Sequence, residues 1–330
     1  MLSRLLFLLV VLCAAAGGTA AWWLQHPLTL AHDDVEVSIE PGTPVREIVR
    51  QWREAGVDVQ PELLYQWFRW SGDAKRIRAG SYLANPGSTP RSLLDKMVRG
   101  DEELESLHII DGWTVKQMRA ALAAAPDLKP TTAGMSDEQL MAAIGAPGVP
   151  AEGRFFPDTY VYSKGVSDLL VLRRAHDALE RQLQAAWALR APDTPLKSAD
   201  AALTLASVVE KETGTAADRG KVAGVFSNRL RLGMPLQSDP TVIYGLGAAY
   251  DGTLHKVDLQ TDTPYNSYTR QGLPPTPIAL PGRDALRAAV RPEAIKALYF
   301  VSRGDGTSVF SDTLNAHNAA VNQFIRGPHK

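Results

Sequence analysis

Residues 198–213 read SADAALTLASVVEKET, and their reading decides how the rest of the chain is organised. At helical spacing Ala201, Ala202, Leu205, Val208, Val209 and Glu212 share one face, while Glu210 points the other way. A carboxylate on a core-facing stripe is costly unless it is paired or protonated. Burial raises a carboxyl pKa, and an acid held neutral near pH 7 can donate a proton in catalysis. The segment alone leaves two readings open: a helix that exposes its last turn to water, or a buried general acid.

The downstream residues supply surroundings for that acid. Gly214 is a stop signal, and Thr215 or Asp218 caps a following helix that buries Val222, Val225, Phe226 and Leu230 and ends at Gly233. Residues 234–240, MPLQSDP, form a constrained segment with Gln237 and Asp239 close together. Residues 265–268, YNSY, precede a run containing Pro274, Pro275, Pro277 and Pro281, a rigid loop suited to the wall of a groove. The chain then reads as a strand at 298–302, a Gly304-Asp305-Gly306 turn, a strand at 308–311 and a final helix near 314–325.

Upstream, residues 35–105 read as a small α+β module. Val35, Val37 and Ile39 alternate as a strand, Pro41-Gly42-Thr43 turns, and Val45, Ile48, Val49 and Trp52 mark one side of a helix. A second helix at 61–71 presents Leu63, Leu64, Trp67, Phe68 and Trp70; residues 79–83 read as a strand and 92–99 as a closing helix. Core filling is the favoured role for these large aromatics, ahead of sugar stacking. A strand at 107–110 opens the next region, with helices around 115–125 and 137–144, an aromatic-rich block at 152–162 and a long amphipathic helix at 168–189.

The first residues carry the one targeting element. Residues 5–24 are uncharged and about one bilayer span long. Arg4 precedes them, Trp22 and Trp23 close them, and Asp33, Asp34 and Glu36 follow. This asymmetry predicts a single-pass anchor with a cytoplasmic N-terminus and the bulk of the chain outside. A cleaved signal peptide with Gly18-Thr19-Ala20-Ala21 at its cleavage site is the alternative; a lipoprotein signal at Cys13 is disfavoured by Leu12.

Composition removes several function classes. The 330 residues suffice for two domains plus an appendage, and the 45% hydrophobic and 22% charged content is ordinary for globular material. A formal net charge of -1 gives no field favouring nucleic acid. Cys13 is the only cysteine, which excludes an internal disulfide and a thiol metal site. The seven histidines (His26, His32, His108, His176, His255, His317 and His329) show no metal-ligand spacing, so no metal and no cofactor are expected. No G-x-S-x-G elbow, P-loop or G-x-G-x-x-G occurs. His317-Asn318 reads as a structural hydrogen-bonding pair.

What remains is one acid, amides at Gln237 and Asn266, and rings at Tyr244, Tyr265 and Tyr268. Amides read hydroxyl and N-acetyl groups, rings stack on sugar faces, and an acid protonates a glycosidic oxygen, so the inventory fits a carbohydrate groove. Ordinary glycosidases use two carboxylates. Glu210, Asp218 and Asp239 are candidate partners without a defensible placement, so a single-acid mechanism is considered.

The chain resembles the endolytic murein transglycosylase family (MltG, or YceG-like) over nearly its whole length. The resemblance rests on the EG-x-F-x-PDT block at 152–159, on ASVVEKET at 206–213, on VFSNRL at 225–230, on LQSDPTVIYG at 236–245, on YNSY at 265–268, and on Phe310-Ser311 with NAHN at 315–318. Three short blocks of the wider lytic transglycosylases have counterparts: Glu212-Thr213, Pro264-Tyr265-Asn266, and Gly233-Met234-Pro235-Leu236-Gln237, which is one residue longer than the family's Gly-Leu-Met-Gln.

The resemblance implies an α+β chain with a transmembrane helix and tether at 1–32, a LysM-like module at 33–105, and a catalytic domain at 106–330 with a lysozyme-like catalytic-helix arrangement. It implies cleavage of the MurNAc-β-1,4-GlcNAc bond of peptidoglycan, with Glu212 as acid and then as base toward the muramyl 6-hydroxyl, closing a 1,6-anhydro ring. Gln237 and Asn266 are expected to orient the N-acetyl group, Tyr265 and Tyr268 to hold the sugar, and Thr213 to contribute its hydroxyl. Glu210 is the rival acid. Peptidoglycan strands, the inner membrane and peptidoglycan synthases (penicillin-binding proteins) are the expected partners. A non-catalytic peptidoglycan-binding scaffold and a lysozyme-type hydrolase are the alternatives.

Overall fold

A computed structural model describes residues 2–32 and 35–326. Asp33, Asp34 and His329, which enter the charge and histidine readings above, lie outside the described residues. The chain divides into two compact units, one of residues 1–106, 126–129 and 161–166, the other of residues 107–125, 130–160 and 167–330. The sequence places one boundary near 105; the structure sets it at 106/107 and returns two short stretches, 126–129 and 161–166, to the first unit.

The first unit opens with helix α1 (Leu2–Gln25), whose Leu6–Gln25 portion is long and apolar enough to cross a membrane. Strands β1 (Thr29–Leu30) and β2 (Val35–Ile39), helix α2 (Val45–Ala55), strand β3 (Val57–Asp58), helix α3 (Pro61–Trp70), strand β4 (Gly80–Ala84) and helix α4 (Pro90–Arg99) follow. β2 pairs antiparallel with β4, with Val37 opposite Tyr82, and β1 pairs antiparallel with β3. The period-two alternation buries Val35, Val37 and Ile39 against Ile48, Trp52, Phe68 and Met97. α4 starts at Pro90, two residues before the sequence expectation, because Thr89 and Ser92 form a reciprocal capping box. On α3, Leu64 and Phe68 are buried, whereas Leu63 and Trp70 are 52% and 79% exposed, so not every large apolar residue there fills the core.

Strands β5 (Leu104–His108) and β6 (Thr159–Ser163) each divide between the units; β5 starts three residues before the strand expected at 107–110. The second unit holds α5 (Val115–Ala124), α6 (Asp137–Ala143), α7 (Asp168–Ala188), α8 (Ala199–Glu212), α9 (Ala216–Arg231), α10 (Asp239–Leu246), α11 (Lys256–Gln260), α12 (Arg283–Val290), the β7 (Tyr299–Ser302) and β8 (Ser308–Ser311) hairpin, and α13 (Leu314–Phe324). α8 is its axis, packed by α7, α9, α10 and α12. Every residue from Ala202 to Val209 is buried, so α8 has no wet face in its middle and the one-sided stripe read from the sequence is only part of its contact surface.

α12 is absent from the sequence reading, which treats the proline-rich approach as a loop. The loop ends at Gly282, after which Ala285, Leu286, Ala289 and Val290 pack into the core around α8. α9 closes the other side at short range. A Cβ on Gly224 would meet the Glu293 carbonyl oxygen at 2.7 Å and the Ile295 side chain at 3.0 Å. Gly220, one turn earlier, would meet nothing closer than 3.5 Å. Gly224→Ala is therefore expected to destabilise by about 1–3 kcal/mol through overpacking. Gly220→Ala is expected to be neutral or to stabilise by up to about 1 kcal/mol. Thermal melts of the two variants in detergent check this pair, and equal melting temperatures would refute the close approach.

Candidate functional site

The site is built at the C-terminal end of α8. Ser198 caps its start by accepting the Ala201 N–H, and Ser207 inside it donates to the Thr204 carbonyl while accepting the Ile278 N–H at 3.0 Å. The helix is thereby locked to the 277–282 segment, and its last residue, Glu212, emerges half-buried. Burial pushes the Glu212 carboxyl up to about 7; the Ser238 hydroxyl pulls it down, the Asp239 charge pushes it up, and the Arg229 charge pulls it down. Ser238 is fully buried and its Oγ makes no well-formed hydrogen bond among the described residues, which leaves that donor to the acid.

Glu210 also departs from a solvent-facing role. Its carboxylate accepts the Gly282 N–H at 2.9 Å and pairs with Arg219 at 3.8 Å. Burial raises its pKa, with opposing influences from Gly282 and Arg219. It points away from Glu212, as helical phase predicts, but into a neighbouring part of the fold, where it ties α8 to the start of α12. Thr213, buried, leaves the helix in an extended conformation, and its Oγ1 accepts the Thr215 N–H at 3.2 Å.

Arg229 is the central cation. Its Nε donates to the Leu298 carbonyl at 2.7 Å, and Nη1 donates to the Pro235 and Leu236 carbonyls and to Gln237 Oε1 at 3.0 Å. Its guanidinium lies 5.2 Å from the Tyr299 ring centre. Burial lowers its pKa and the Tyr299, Tyr268 and Glu212 charges raise it, and a guanidinium remains charged throughout. Arg229 is a functional residue beyond those expected from the sequence, although its signal is there: 229 follows Val222, Val225 and Phe226 at the spacing of one helical face, as Glu212 follows its own apolar stripe.

Gln237 occupies a left-handed backbone conformation with φ 53°. The turn is held by its N–H to the Ser267 carbonyl at 2.9 Å and by the Ser238 N–H to Ser267 Oγ at 2.9 Å. Thr241 and Ser267 hydroxyls, 2.7 Å apart, close the joint between the 235–241 and 265–268 segments. The Gln237 side chain is exposed, its oxygen accepts from Arg229, and its NH₂ has no hydrogen-bond partner among the described residues.

The 265–268 segment divides the four residues of its block between two tasks. Tyr268 Oη donates to Asp239 Oδ1 at 2.5 Å. Burial, that hydrogen bond and the Asp239 and Glu212 charges hold its pKa far above the ordinary phenol value. Asn266 is fully buried; its Nδ2 donates to the Asp258, Leu259 and Thr261 carbonyls and its Oδ1 accepts the Tyr268 N–H. That amide is spent on partners inside the protein, where Asn266 shapes the loop. Tyr265 Oη meets Thr276 Oγ1 at 2.8 Å, and its ring meets Tyr244 edge-to-face at 4.9 Å.

Glu212, Ser238, Asp239, Arg229, Tyr268 and Gln237 thus gather at one place. His317 joins its periphery by stacking on Tyr299 at 5.3 Å, with Nδ1 lacking a hydrogen-bond partner among the described residues, so the expected hydrogen-bonding role gives way to a ring contact. Among the described residues no three His, Cys, Asp or Glu side chains form a metal-holding group. A surface cleft of about 670 Å³ lies between the 188–193 and 291–296 segments and contains none of these groups.

Residues 37–323 match the model of the YceG-like family. This chain belongs to the YceG-like family. A relative in Bacillus subtilis (strain 168), an endolytic murein transglycosylase, is 30% identical over 308 residues, spanning 88% of this chain and 85% of the relative. An endolytic murein transglycosylase of Streptococcus pneumoniae is 26% identical over 88% of this chain, which spans only 58% of that protein. The crystal structure of a YceG-like protein from Listeria monocytogenes, 27% identical, superposes with a TM-score of 0.57 over 87% of this chain and 98% of that one.

The sign of the Glu212 titration gives a stability prediction for this YceG-like chain. The carboxyl moves from an ordinary 4.5 to about 7 on folding, so between those values the folded chain holds a proton that the unfolded chain has lost. Stability therefore falls as pH rises through that window and levels off above it. Glu212→Gln removes this dependence and at pH 8 should stabilise by about 1–3 kcal/mol. Melting temperatures from pH 5 to 8 are expected to fall less in the variant, and parallel curves would contradict the burial of the acid.

Proposed function

We propose that this chain is a membrane-anchored endolytic murein transglycosylase with Glu212 as its acid and base. The observation that carries this reading is one carboxyl, half-buried at the end of a fixed helix and pushed up to about 7, beside a hydroxyl donor and a pinned guanidinium. The relatives' names supply the substrate class.

Protonated Glu212 donates to the glycosidic oxygen between N-acetylmuramic acid and N-acetylglucosamine, and the C1–O4 bond breaks with the proton on the departing 4-hydroxyl. The resulting carboxylate takes the proton of the muramyl 6-hydroxyl as O6 bonds to C1. Glu212 ends protonated, no water is consumed, and the strand ends in 1,6-anhydro-MurNAc. The Gln237 NH₂ reads the N-acetyl group, Tyr268 and Tyr265 hold the sugar, and Asn266 and Thr213 keep the loops that carry them in place. Arg229 and Ser238 stabilise the carboxylate while it waits to act as base.

The apolar helix Leu6–Gln25 anchors the chain in the inner membrane with its N-terminus cytoplasmic, and the α+β module at 33–105 acts as a LysM-like glycan-binding unit. In this setting the enzyme works on nascent strands beside the synthases and terminates their elongation. A lysozyme-type hydrolase is the second reading, favoured by one observation: Asp239 lies near enough to raise the Glu212 pKa, and two carboxylates are the hydrolytic arrangement.

Product ends decide. With uncrosslinked glycan, the wild type should yield anhydromuropeptides by mass spectrometry and Glu212→Gln should lose at least about a thousandfold in rate. Reducing ends would establish hydrolysis, and no cleavage by the wild type on sacculi or on nascent glycan would leave only a binding scaffold. Because the acid must be protonated, kcat/KM is expected to fall as pH rises through about 7.

A further inference from the structure

Glu152 is a second carboxyl that burial pushes up to about 7, and the chemistry above does not use it. Its two oxygens have separate fixed donors. The Val115 N–H, in the first turn of α5, donates to Oε1 at 3.0 Å, where a helix N-terminus favours negative charge. The Tyr244 hydroxyl, on α10, donates to Oε2 at 3.2 Å. The next residue, Gly153, has φ +81°, and a Cβ there would collide with the Pro277 ring, so the backbone beside Glu152 is pressed onto the proline-rich wall.

These contacts form a closed circuit. Tyr244 packs edge-to-face on Tyr265, Tyr265 bonds Thr276, Thr276 donates to the Pro277 carbonyl at 2.9 Å, and Pro277 abuts Gly153 next to Glu152. Both rings are half-buried and so keep exposed surface. The circuit shares its elements with the acid's surroundings: α10 starts at Asp239 and carries Tyr244, and the 265–268 segment carries both Tyr265 and Tyr268.

From this geometry we infer that Glu152 is a positioning residue, which fixes the Tyr244 hydroxyl and through it the Tyr244–Tyr265 pair as a wall that packs on N-acetylated pyranose rings of the glycan. The inference rests on the transglycosylase reading above. Glu152 touches no reacting atom; it acts by holding a ring pair rigid before the glycan arrives, so that less ordering accompanies binding. Its contribution belongs in substrate affinity more than in the bond-breaking step.

The test uses the full chain in detergent and uncrosslinked glycan strands. In a Glu212→Gln parent, Tyr244→Phe and Glu152→Ala should each weaken glycan binding about tenfold, and the double variant should be no weaker than either single one. Glu152→Gln, which retains an acceptor oxygen, should recover at least half of that loss on a logarithmic scale. With Glu212 intact, Tyr244→Phe should raise KM about tenfold and lower kcat less than about threefold. Tyr244→Phe keeps the ring and its packing, so it reads the hydrogen bond without emptying the core. Unchanged affinity in Tyr244→Phe, additive losses in the double variant, or a loss confined to kcat would each overturn the role of Glu152 while leaving the transglycosylase reading intact. A Glu212→Gln parent that binds no glycan, together with a wild type that forms no anhydro ends, would overturn both.

Discussion

Burying a carboxyl where α8 ends removes charge solvation from Glu212, and the surrounding structure is arranged to make that burial tolerable in either protonation state. The helix cannot retreat from the site. Its middle is enclosed on all sides, Ser207 binds the 277–282 segment, and Glu210 ties its outer edge to the start of α12. At the open end, a serine hydroxyl and a guanidinium face the acid. Arg229 is itself pinned by four hydrogen bonds and a ring face, so its charge arrives without the entropy cost of ordering a mobile side chain. With burial raising the Glu212 pKa and the Ser238 hydroxyl and Arg229 charge lowering it, both protonation forms lie within reach near neutral pH.

Two loops then convert a poised acid into a site. The 235–241 turn, with Gln237 in a left-handed conformation, and the 265–268 segment are stitched together by Ser267 and Thr241. Asn266 stabilises the second loop from inside by engaging the 258–261 carbonyls. The residues exposed at this joint are Gln237 and Asp239, and the Tyr268 hydroxyl donates to Asp239. Thus the 235–241 and 265–268 segments divide between side chains exposed to solvent, Gln237 and Asp239, and side chains that hold the backbone, Asn266, Ser267 and Thr241.

Much of this was legible from periodicity. β2, α2, α7, the β7–β8 hairpin and α13 follow from alternation and helical spacing with errors of one or two residues at their ends, and Glu212 stands out as a carboxylate in phase with apolar neighbours. Other features were not, the short helices α10 and α11 among them. α12 is eight residues long and follows a proline run, so the turn-forming signal masks a short helix that tertiary packing makes essential. Asn266 and Gln237 look alike in sequence, and only the three-dimensional count of donors and acceptors separates a spent amide from an available one. Glu152 lies in a loop with no periodicity, and its partners at Val115 and Tyr244 are 37 and 92 residues away. Arg229, by contrast, carries the same helical-phase signal as Glu212.

Burial where α8 ends pushes the Glu212 carboxyl up to about 7, so it holds its proton close to neutrality. Infrared difference spectra of the wild type against Glu212→Gln, recorded from pH 4 to 9, isolate the carboxyl stretch of this residue from that of Glu152. The protonated band should disappear with a midpoint near 7; a midpoint near the ordinary 4.5 would rule out the burial of this acid.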